Sequence, residues 1–242
     1  MEAILFSIAA FFSTYFGGLL SLRFKEKLHI IMSFAAGVLL GVFSFEVLPE
    51  IINEIKINDF NPLGVTIAFV LGFMFFHIIE KTILIHHAQE AMYAAHKHPH
   101  VGIFAAITLA THSFVDGLGI GLGFQVSEAT GLLVTLAVIA HDFTDGMNTV
   151  TLLLNHKNKI ETAKRFLLLD ALAPVLGAAA TLIFQLPPHF LIIYLGFFGG
   201  FLMYIGASDI LPEAHSEQSS FKLIGLTIAG LLFVFVITRF VG

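Results

Sequence analysis

Eight apolar stretches, each long enough to cross a lipid bilayer, restrict the fold of this chain more than any other feature. A membrane-spanning helix needs about 20 apolar residues, and helices satisfy their own backbone polar groups in lipid. With 57% hydrophobic and only 12% charged residues, the sequence predicts an all-α integral membrane protein, a single transmembrane domain over residues 1–242. The eight predicted spans cover roughly 3–22, 28–49, 62–80, 101–124, 130–154, 163–186, 188–211 and 222–241.

The basic residues predict how these spans are oriented. Ten of the twelve Lys and Arg residues lie in or beside the connections after the first, third, fifth and seventh spans. Only Lys56 and Arg239 lie on the other side. Because cytoplasmic loops are enriched in Lys and Arg, both termini are expected outside the cytoplasm.

The connection after the third span, about residues 81–100, is then cytoplasmic and rich in histidine. Clustered histidines in a polar tract indicate weak metal binding; a solvated linker with incidental histidines is the alternative. The residues concerned are His86, His87, His96, His98 and His100.

One motif occurs twice inside the apolar spans, as His112-Ser113-Phe-Val-Asp116-Gly117 and as His141-Asp142-Phe-Thr-Asp145-Gly146. The four-residue spacing places each histidine and its aspartate on one face of a helix. Since a central Asp costs about 2.5–3.5 kcal/mol to insert, a chain that carries the pair twice is expected to use it.

Two such helices could hold a divalent metal ion between His112, Asp116, His141 and Asp145. The chain has no cysteine, so its ligands suit Zn, Fe, Mn, Co and Ni better than Cu(I). The alternative is an interhelical hydrogen-bond network that only holds the bundle together.

A second metal position is expected beside the first. Asp142 follows His141 directly, and Asp170 lies in the sixth span ahead of Pro174. These two acids and Ser113 would complete the second position. Asp170 could instead pair with a basic group, and Ser113 could instead bond its own helix backbone.

The second and seventh spans end in similar sequences, Ser44-Phe-Glu46-Val-Leu-Pro-Glu50 and Ala207-Ser-Asp209-Ile-Leu-Pro-Glu213. These spans run in opposite directions, as do the two with the His–Asp motif. This pattern indicates inverted repeats, which place substrate sites near the midplane, in a 3+2+3 arrangement of spans.

The acids at these two span ends are expected to line a metal path. Glu46 and Glu50 would form an outer entrance, whereas Asp209, Glu213 and His215 would form a cytoplasmic exit. Solvated helix ends are the alternative for these side chains.

The paired motifs, the eight spans and the Leu-Pro-Glu endings resemble the ZIP (Zrt-/Irt-like) family of divalent metal transporters, in their bacterial type. The resemblance implies both termini outside, a His-rich cytoplasmic loop and a homodimer. It also implies that spans one, four, five and six move against spans two, three, seven and eight.

The sequence departs from that family in the length of its acids. Family members commonly carry Glu at the positions of Asp116, Asp145 and Asp170, and Asn at the position of Ser113. Because Asp is one methylene shorter, the helices must lie closer together or a water must fill the gap.

The resulting hypothesis is an inner-membrane importer of divalent metal, with Zn²⁺ as first choice and Fe²⁺, Mn²⁺ or Cd²⁺ as alternatives. The ion is the transported substrate, no resident cofactor is expected, and no nucleic-acid partner is expected because the chain lacks a basic patch. Two rivals are a proton-coupled exporter of the same ions and an intramembrane metal-dependent hydrolase. The hydrolase would be an enzyme, and it lacks support because the chain has no His-Glu-x-x-His motif.

Overall fold

The computed structural model describes residues 2–21, 28–93, 99–216 and 220–241, and these residues form helices and short connections without a strand. Eight helical rods follow one another within these ranges, which confirms the all-α fold. In chain order they are α1 (Glu2–Ser21), α2 (residues 28–58), α3 (Pro62–Tyr93), α4 (Pro99–Val126), α5 (Glu128–Asn155), α6 (Ile160–Ala180, then a 3-10 turn Thr181–Ile183), α7 (residues 188–214) and α8 (Phe221–Val241).

Six of the rods, α1, α2, α4, α6, α7 and α8, are long and apolar enough along their described residues to cross a membrane. In α3 the residues whose side chains are described include the apolar stretch Pro62–Ile78. Helix α5 is long enough but carries His141, Asp142 and Asp145 in its middle, which lower its hydropathy. The weakness of α5 as a span therefore comes from the candidate site itself.

The third span continues well beyond its expected end. Residues 81–93, which the sequence predicted as part of a loop, are helical and extend α3 to Tyr93. The segment contains Ala, Glu and Gln, which favour helix, and no Gly or Pro before Pro99. The expectation of a loop over 81–100 is therefore wrong for its first thirteen residues.

The rods pack as two groups of four. Helices α1, α4, α5 and α6 pack against one another, whereas α2 packs along α8, α3 packs along α7, and α2 also contacts α7. The largest contact between the groups is made by α2 on α5, while α4 touches α7 at few points. The molecule thus has one well-packed seam and one loosely packed seam.

Helices α2 and α7 share an irregular backbone at their similar sequences. A π-helical segment, Phe43–Val47, precedes Leu48-Pro49 in α2, and another, Tyr204–Ile210, precedes Leu211-Pro212 in α7. A proline inside a helix removes one backbone hydrogen bond and clashes with the preceding turn, and a wider turn relieves that clash. The sequence similarity therefore extends to backbone geometry, at bulges of a kind often found in functional regions.

The glycines of the doubled motif lie where helices cross most closely. A Cβ at Gly117 would overlap the carbonyl oxygen of Pro174 on α6. A Cβ at Gly146 would overlap the carbonyl oxygen of Thr14 on α1. Small residues at such crossings let membrane helices approach within backbone contact. Each motif therefore brings a third helix directly beside its own His and Asp.

Candidate metal site

Helices α4 and α5 bring five polar side chains into one cluster at their crossing. His112 Nε2 lies 3.4 Å from Asp116 Oδ2 and 3.6 Å from Asp145 Oδ2. His141 Nε2 lies 3.5 Å from Asp116 Oδ1, 3.6 Å from Asp142 Oδ1 and 4.0 Å from Asp145 Oδ2. The four residues predicted for the first metal position thus lie together with Asp142.

These separations match a shared ion better than direct hydrogen bonds. Two ligands about 2.0–2.2 Å from a tetrahedral metal lie about 3.3–3.6 Å apart, whereas charge-assisted hydrogen bonds are about 2.7–2.9 Å long. Five buried atoms of the cluster have no hydrogen-bond partner among the described residues. They are Asp116 Oδ1, Asp116 Oδ2, His141 Nε2, Asp142 Oδ1 and Asp145 Oδ2.

The histidine on α5 is oriented as a metal ligand. His141 Nδ1 lies 2.8 Å from the carbonyl oxygen of Ala137, one turn earlier in the same helix. A carbonyl oxygen only accepts, so Nδ1 carries the proton and donates it. The lone pair of Nε2 is left for the cluster, as is usual for metal-bound histidines.

Two sets of three ligands are close enough to hold an ion. One set is His112, His141 and Asp145, and the other is Asp116, His141 and Asp142; within each set the ligand atoms lie within 4.8 Å of one another. Both sets use His141, whose Nε2 offers a single lone pair. His141 can therefore coordinate one ion at a time, and the two sets are two alternative sites for that ion.

Asp170 lies beside the cluster, and its oxygens are occupied by hydroxyl groups. Ser113 Oγ donates to Asp170 Oδ1 over 2.7 Å, and Thr149 Oγ1 donates to Asp170 Oδ2 over 2.7 Å. All three side chains are buried. Of the residues expected in a second metal position, Ser113 and Asp170 therefore contact each other, whereas Asp142 belongs to the first cluster.

Sequence reasoning missed several side chains that support the ligands. Thr14 Oγ1 on α1 lies 3.1 Å from both Asp142 Oδ2 and the carbonyl oxygen of Ala10, which share its proton. The rings of Phe76 and Phe201 lie edge-on to His112 at centroid distances of 5.6 and 5.1 Å. Thr149 follows Asp145 by four residues, so helical spacing could have suggested it. Nothing in the apolar sequence of α1 singles out Thr14, because its role depends on how α1 packs.

The acids expected at the entrance lie apart from the cluster. Glu46 is half-buried in the π-helical segment of α2, and its Oε1 accepts a 3.0 Å hydrogen bond from Thr130 Oγ1 on α5. Glu50 is half-exposed one turn further along α2 and interacts electrostatically with Glu46. The pair therefore lies near the packed seam between α2 and α5.

The residues expected at the exit are more exposed. Asp209 is exposed on the π-helical segment of α7 but lies within range of the charge of Asp145. Glu213 is exposed, and half-buried His215 bonds the carbonyl oxygen of Leu211 through Nδ1 at 2.9 Å. Asp209 is thus the exit residue that interacts with the central site.

The structure describes little of the predicted histidine tract. His100 is exposed near the start of α4. The side chains of His86 and His87, and the whole of His96 and His98, lie outside the described residues. The predicted metal binding by these histidines stays a prediction.

Comparison with known proteins identifies the family of the chain. The family model described as ZIP zinc transporter matches residues 85–241, which include both His–Asp motifs and Asp170. The chain belongs to the ZIP zinc transporter family. The matched segment begins within α3 and ends with α8, so the five clustered residues lie within the ZIP-like part of the chain.

Curated ZIP proteins resemble parts of this chain. The metal cation symporter ZIP14 of Xenopus tropicalis is 31% identical over 134 residues, which are 52% of this chain and 29% of that protein. Human ZIP14 is 31% identical over 105 residues, 43% of this chain and 21% of the relative. The metal cation symporter ZIP8 of Rattus norvegicus is 27% identical over 133 residues, 51% and 28% of the two chains. The matched part therefore spans less than a third of each of these relatives.

Proposed function

We propose that this protein is a membrane transporter that moves divalent transition-metal cations into the cytoplasm. The observation that supports it most strongly is the buried cluster of two histidines and three aspartates, whose unpartnered atoms face one another at metal-ligand spacing. Buried charges without a partner are costly, and a bound cation would offset that cost. The ZIP family and its metal cation symporters supply independent support.

Zinc is the proposed first-choice substrate, with iron, manganese and cadmium as alternatives. Two imidazole nitrogens and neighbouring carboxylates suit a borderline cation, and Zn²⁺ accepts both in tetrahedral sites. The ion would be held by His112, His141 and Asp145, or by Asp116, His141 and Asp142. Asp170 and Ser113 would form a neighbouring position only after their mutual hydrogen bond opens.

The proposed route passes from Glu46 and Glu50 to the cluster and leaves past Asp209, Glu213 and His215. We place both termini outside the cytoplasm and the segment 81–100 inside, on the distribution of Lys and Arg. The histidines of that segment would receive the ion with low affinity. A bacterial inner membrane and a homodimer complete the proposal.

Transport would require the two helix groups to move relative to each other. Helices α1, α4, α5 and α6 carry the ligands and the hydroxyl groups that bond them, whereas α2 and α7, in the other group, carry the entrance and exit acids. The similar sequences and shared π-helical segments of α2 and α7 support an inverted 3+2+3 arrangement, in which a central site is reached alternately from either side.

Export of the same ions is the competing function, because neither a midplane site nor an inverted repeat sets the direction of flux. Expression in a zinc-starved uptake mutant should restore growth if the protein imports. Expression in a metal-sensitive efflux mutant should restore growth only if it exports. A hydrolase is not supported, because the ZIP family is a family of transporters.

The direct test is uptake of labelled zinc into proteoliposomes. We expect zinc uptake by the unmodified protein and its loss in a His112→Ala, His141→Ala double variant. His189→Ala is the matched control, because His189 contacts the rings of Phe60 and Phe190 and no residue of the cluster is among its ring partners. Unchanged uptake in the double variant would show that the cluster is not the transport site.

A further inference from the structure

A buried tyrosine hydroxyl lies between the proposed entrance and the metal cluster. Tyr194 is on α7, seven residues before Phe201, whose ring contacts His112. Residues seven apart share a helix face, and seven residues span about 10 Å along the axis. Tyr194 therefore lies on the site-facing side of α7, about two turns away from the level of His112.

From the level of His112, Tyr194 lies toward the end of the molecule that carries Glu46. Gln125, near the end of α4, accepts a hydrogen bond from the backbone of Leu186, just before α7 begins. Helix α5 starts two residues after α4 ends, and its first turn carries Thr130, the partner of Glu46. The start of α7, the end of α4 and Glu46 thus share one end of the bundle, and Tyr194 lies on the way from that end to the cluster.

The surroundings of the Tyr194 ring are apolar. The ring stacks on Phe198 with centroids 5.8 Å apart and an interplanar angle of 20°. Phe198 is buried and packs so tightly on α4 that a Cβ at Gly119 would lie 2.6 Å from its Cε2 atom. The same hydrophobic core includes Ile120 and Leu133. This part of the bundle therefore forms an apolar barrier between the entrance and the ligands.

The hydroxyl of Tyr194 is out of place in such a barrier. Its oxygen is buried and has no hydrogen-bond partner among the described residues. Leaving a buried polar group unpaired is costly, and a phenylalanine would fill the same space without that cost. The hydroxyl also lies within range of the charge of Asp116 in the cluster. A polar group kept unpaired beside a binding site is expected to have a partner in another step of function.

We propose that the Tyr194 hydroxyl is a transient oxygen contact for the metal ion, or for its hydration water, as the ion crosses the barrier toward Asp116. The proposal rests on the transport function proposed above. A divalent cation is strongly disfavoured in an apolar passage. A hydroxyl oxygen can coordinate such a cation through a lone pair. Tyr194 would then govern the rate of passage, whereas the five clustered residues govern binding.

The test is Tyr194→Phe, which removes the hydroxyl and keeps the ring. We expect the maximal zinc uptake rate in proteoliposomes to fall about 3- to 10-fold, the effect of one hydrogen-bond-sized contact. Equilibrium zinc binding by the purified protein should be unchanged, and its melting temperature should be unchanged or higher. Tyr15→Phe is the control, because Tyr15 stacks on Phe11 of its own helix and should transport like the unmodified protein.

An unchanged uptake rate in Tyr194→Phe would overturn the proposal. A reduced rate that is accompanied by weaker zinc binding or a lower melting temperature would also overturn it, because Tyr194 would then act by supporting the structure. Absence of uptake by the unmodified protein would instead refute the transport function itself, so the two failures are distinguishable.

Discussion

At the scale of single residues, the cluster depends on side chains that hold its ligands as well as on the ligands. His141 is set by its bond to the carbonyl oxygen of Ala137, and Asp142 is set by Thr14. The remaining atoms of Asp142 and Asp116 are buried and unpaired. His141 and Asp142 are thus partly oriented before an ion arrives, which lowers the entropy cost of binding.

Thr14→Val should weaken zinc binding by about 10- to 100-fold, the usual effect of removing a group that orients a metal ligand. The change keeps the shape of the side chain and removes the hydroxyl that donates to Asp142. Isothermal titration calorimetry on the purified protein would measure it. Thr111→Val is the matched control, since Thr111 is exposed and donates to the carbonyl oxygen of Ile107 in its own helix. Equal affinities of the two variants would contradict the supporting role of Thr14.

Zinc binding should also release protons and weaken as the pH falls. Imidazole and carboxylate must be deprotonated to bind a metal, so metal and protons compete for the same atoms. Calorimetry in buffers of different ionisation enthalpy would count the protons released. Binding that is independent of pH and releases no proton would contradict a His/Asp site.

At the scale of helices, glycine decides how closely the supporting helices approach the motifs. Gly117 lies against Pro174, and one turn further Gly177 lies against Phe114, so α4 and α6 touch reciprocally. Gly146 and Gly17 form the corresponding crossing of α5 with α1. These crossings place the Thr14 hydroxyl of α1 and Asp170 of α6 beside the cluster. Because the helices lie so close together, the short aspartate side chains can reach one another.

Gly117→Ala should destabilise the protein by about 1–3 kcal/mol, the usual cost of overpacking, because the new methyl group would overlap the backbone of Pro174. Zinc uptake should fall as α6 is pushed away from α4. Thermal unfolding in detergent would measure the stability. Gly225→Ala is the control, since nothing lies within 4 Å of a Cβ at that position. If both variants melt at the same temperature, the close crossing does not contribute to stability.

At the scale of the whole molecule, the sequence predicted those features that depend on residues close together in the chain. The eight helices follow from apolar length, and the pairing of His112 with Asp116 and of His141 with Asp145 follows from helical spacing. Thr14 and Tyr194 could not be predicted, because their contacts depend on which helices cross and how closely. The extension of α3 to Tyr93 was missed because charged and histidine residues suggested a loop, although their helix propensity is adequate.

If the two groups of helices move relative to each other during transport, a covalent link between them should stop zinc uptake. The chain has no cysteine, so a Glu46→Cys, Thr130→Cys pair can be introduced directly; their side chains bond across the seam between α2 and α5. Joining the two thiols with a bifunctional, reductively cleavable methanethiosulfonate reagent should abolish zinc uptake, and reduction should restore the uptake of the reduced variant. A Phe45→Cys, Phe235→Cys pair is the control, because those rings contact within one group. Full uptake by the cross-linked pair would contradict movement along this seam.

The central claim is that one metal ion binds between α4 and α5. A crystal structure of the zinc-soaked protein, with anomalous scattering measured at the zinc absorption edge, tests it most directly. We predict an anomalous peak about 2.0–2.2 Å from His141 Nε2 and from an oxygen of Asp116, Asp142 or Asp145. Zinc peaks found only in other parts of the chain would contradict it, if the cluster then holds no zinc and keeps the interatomic distances described above.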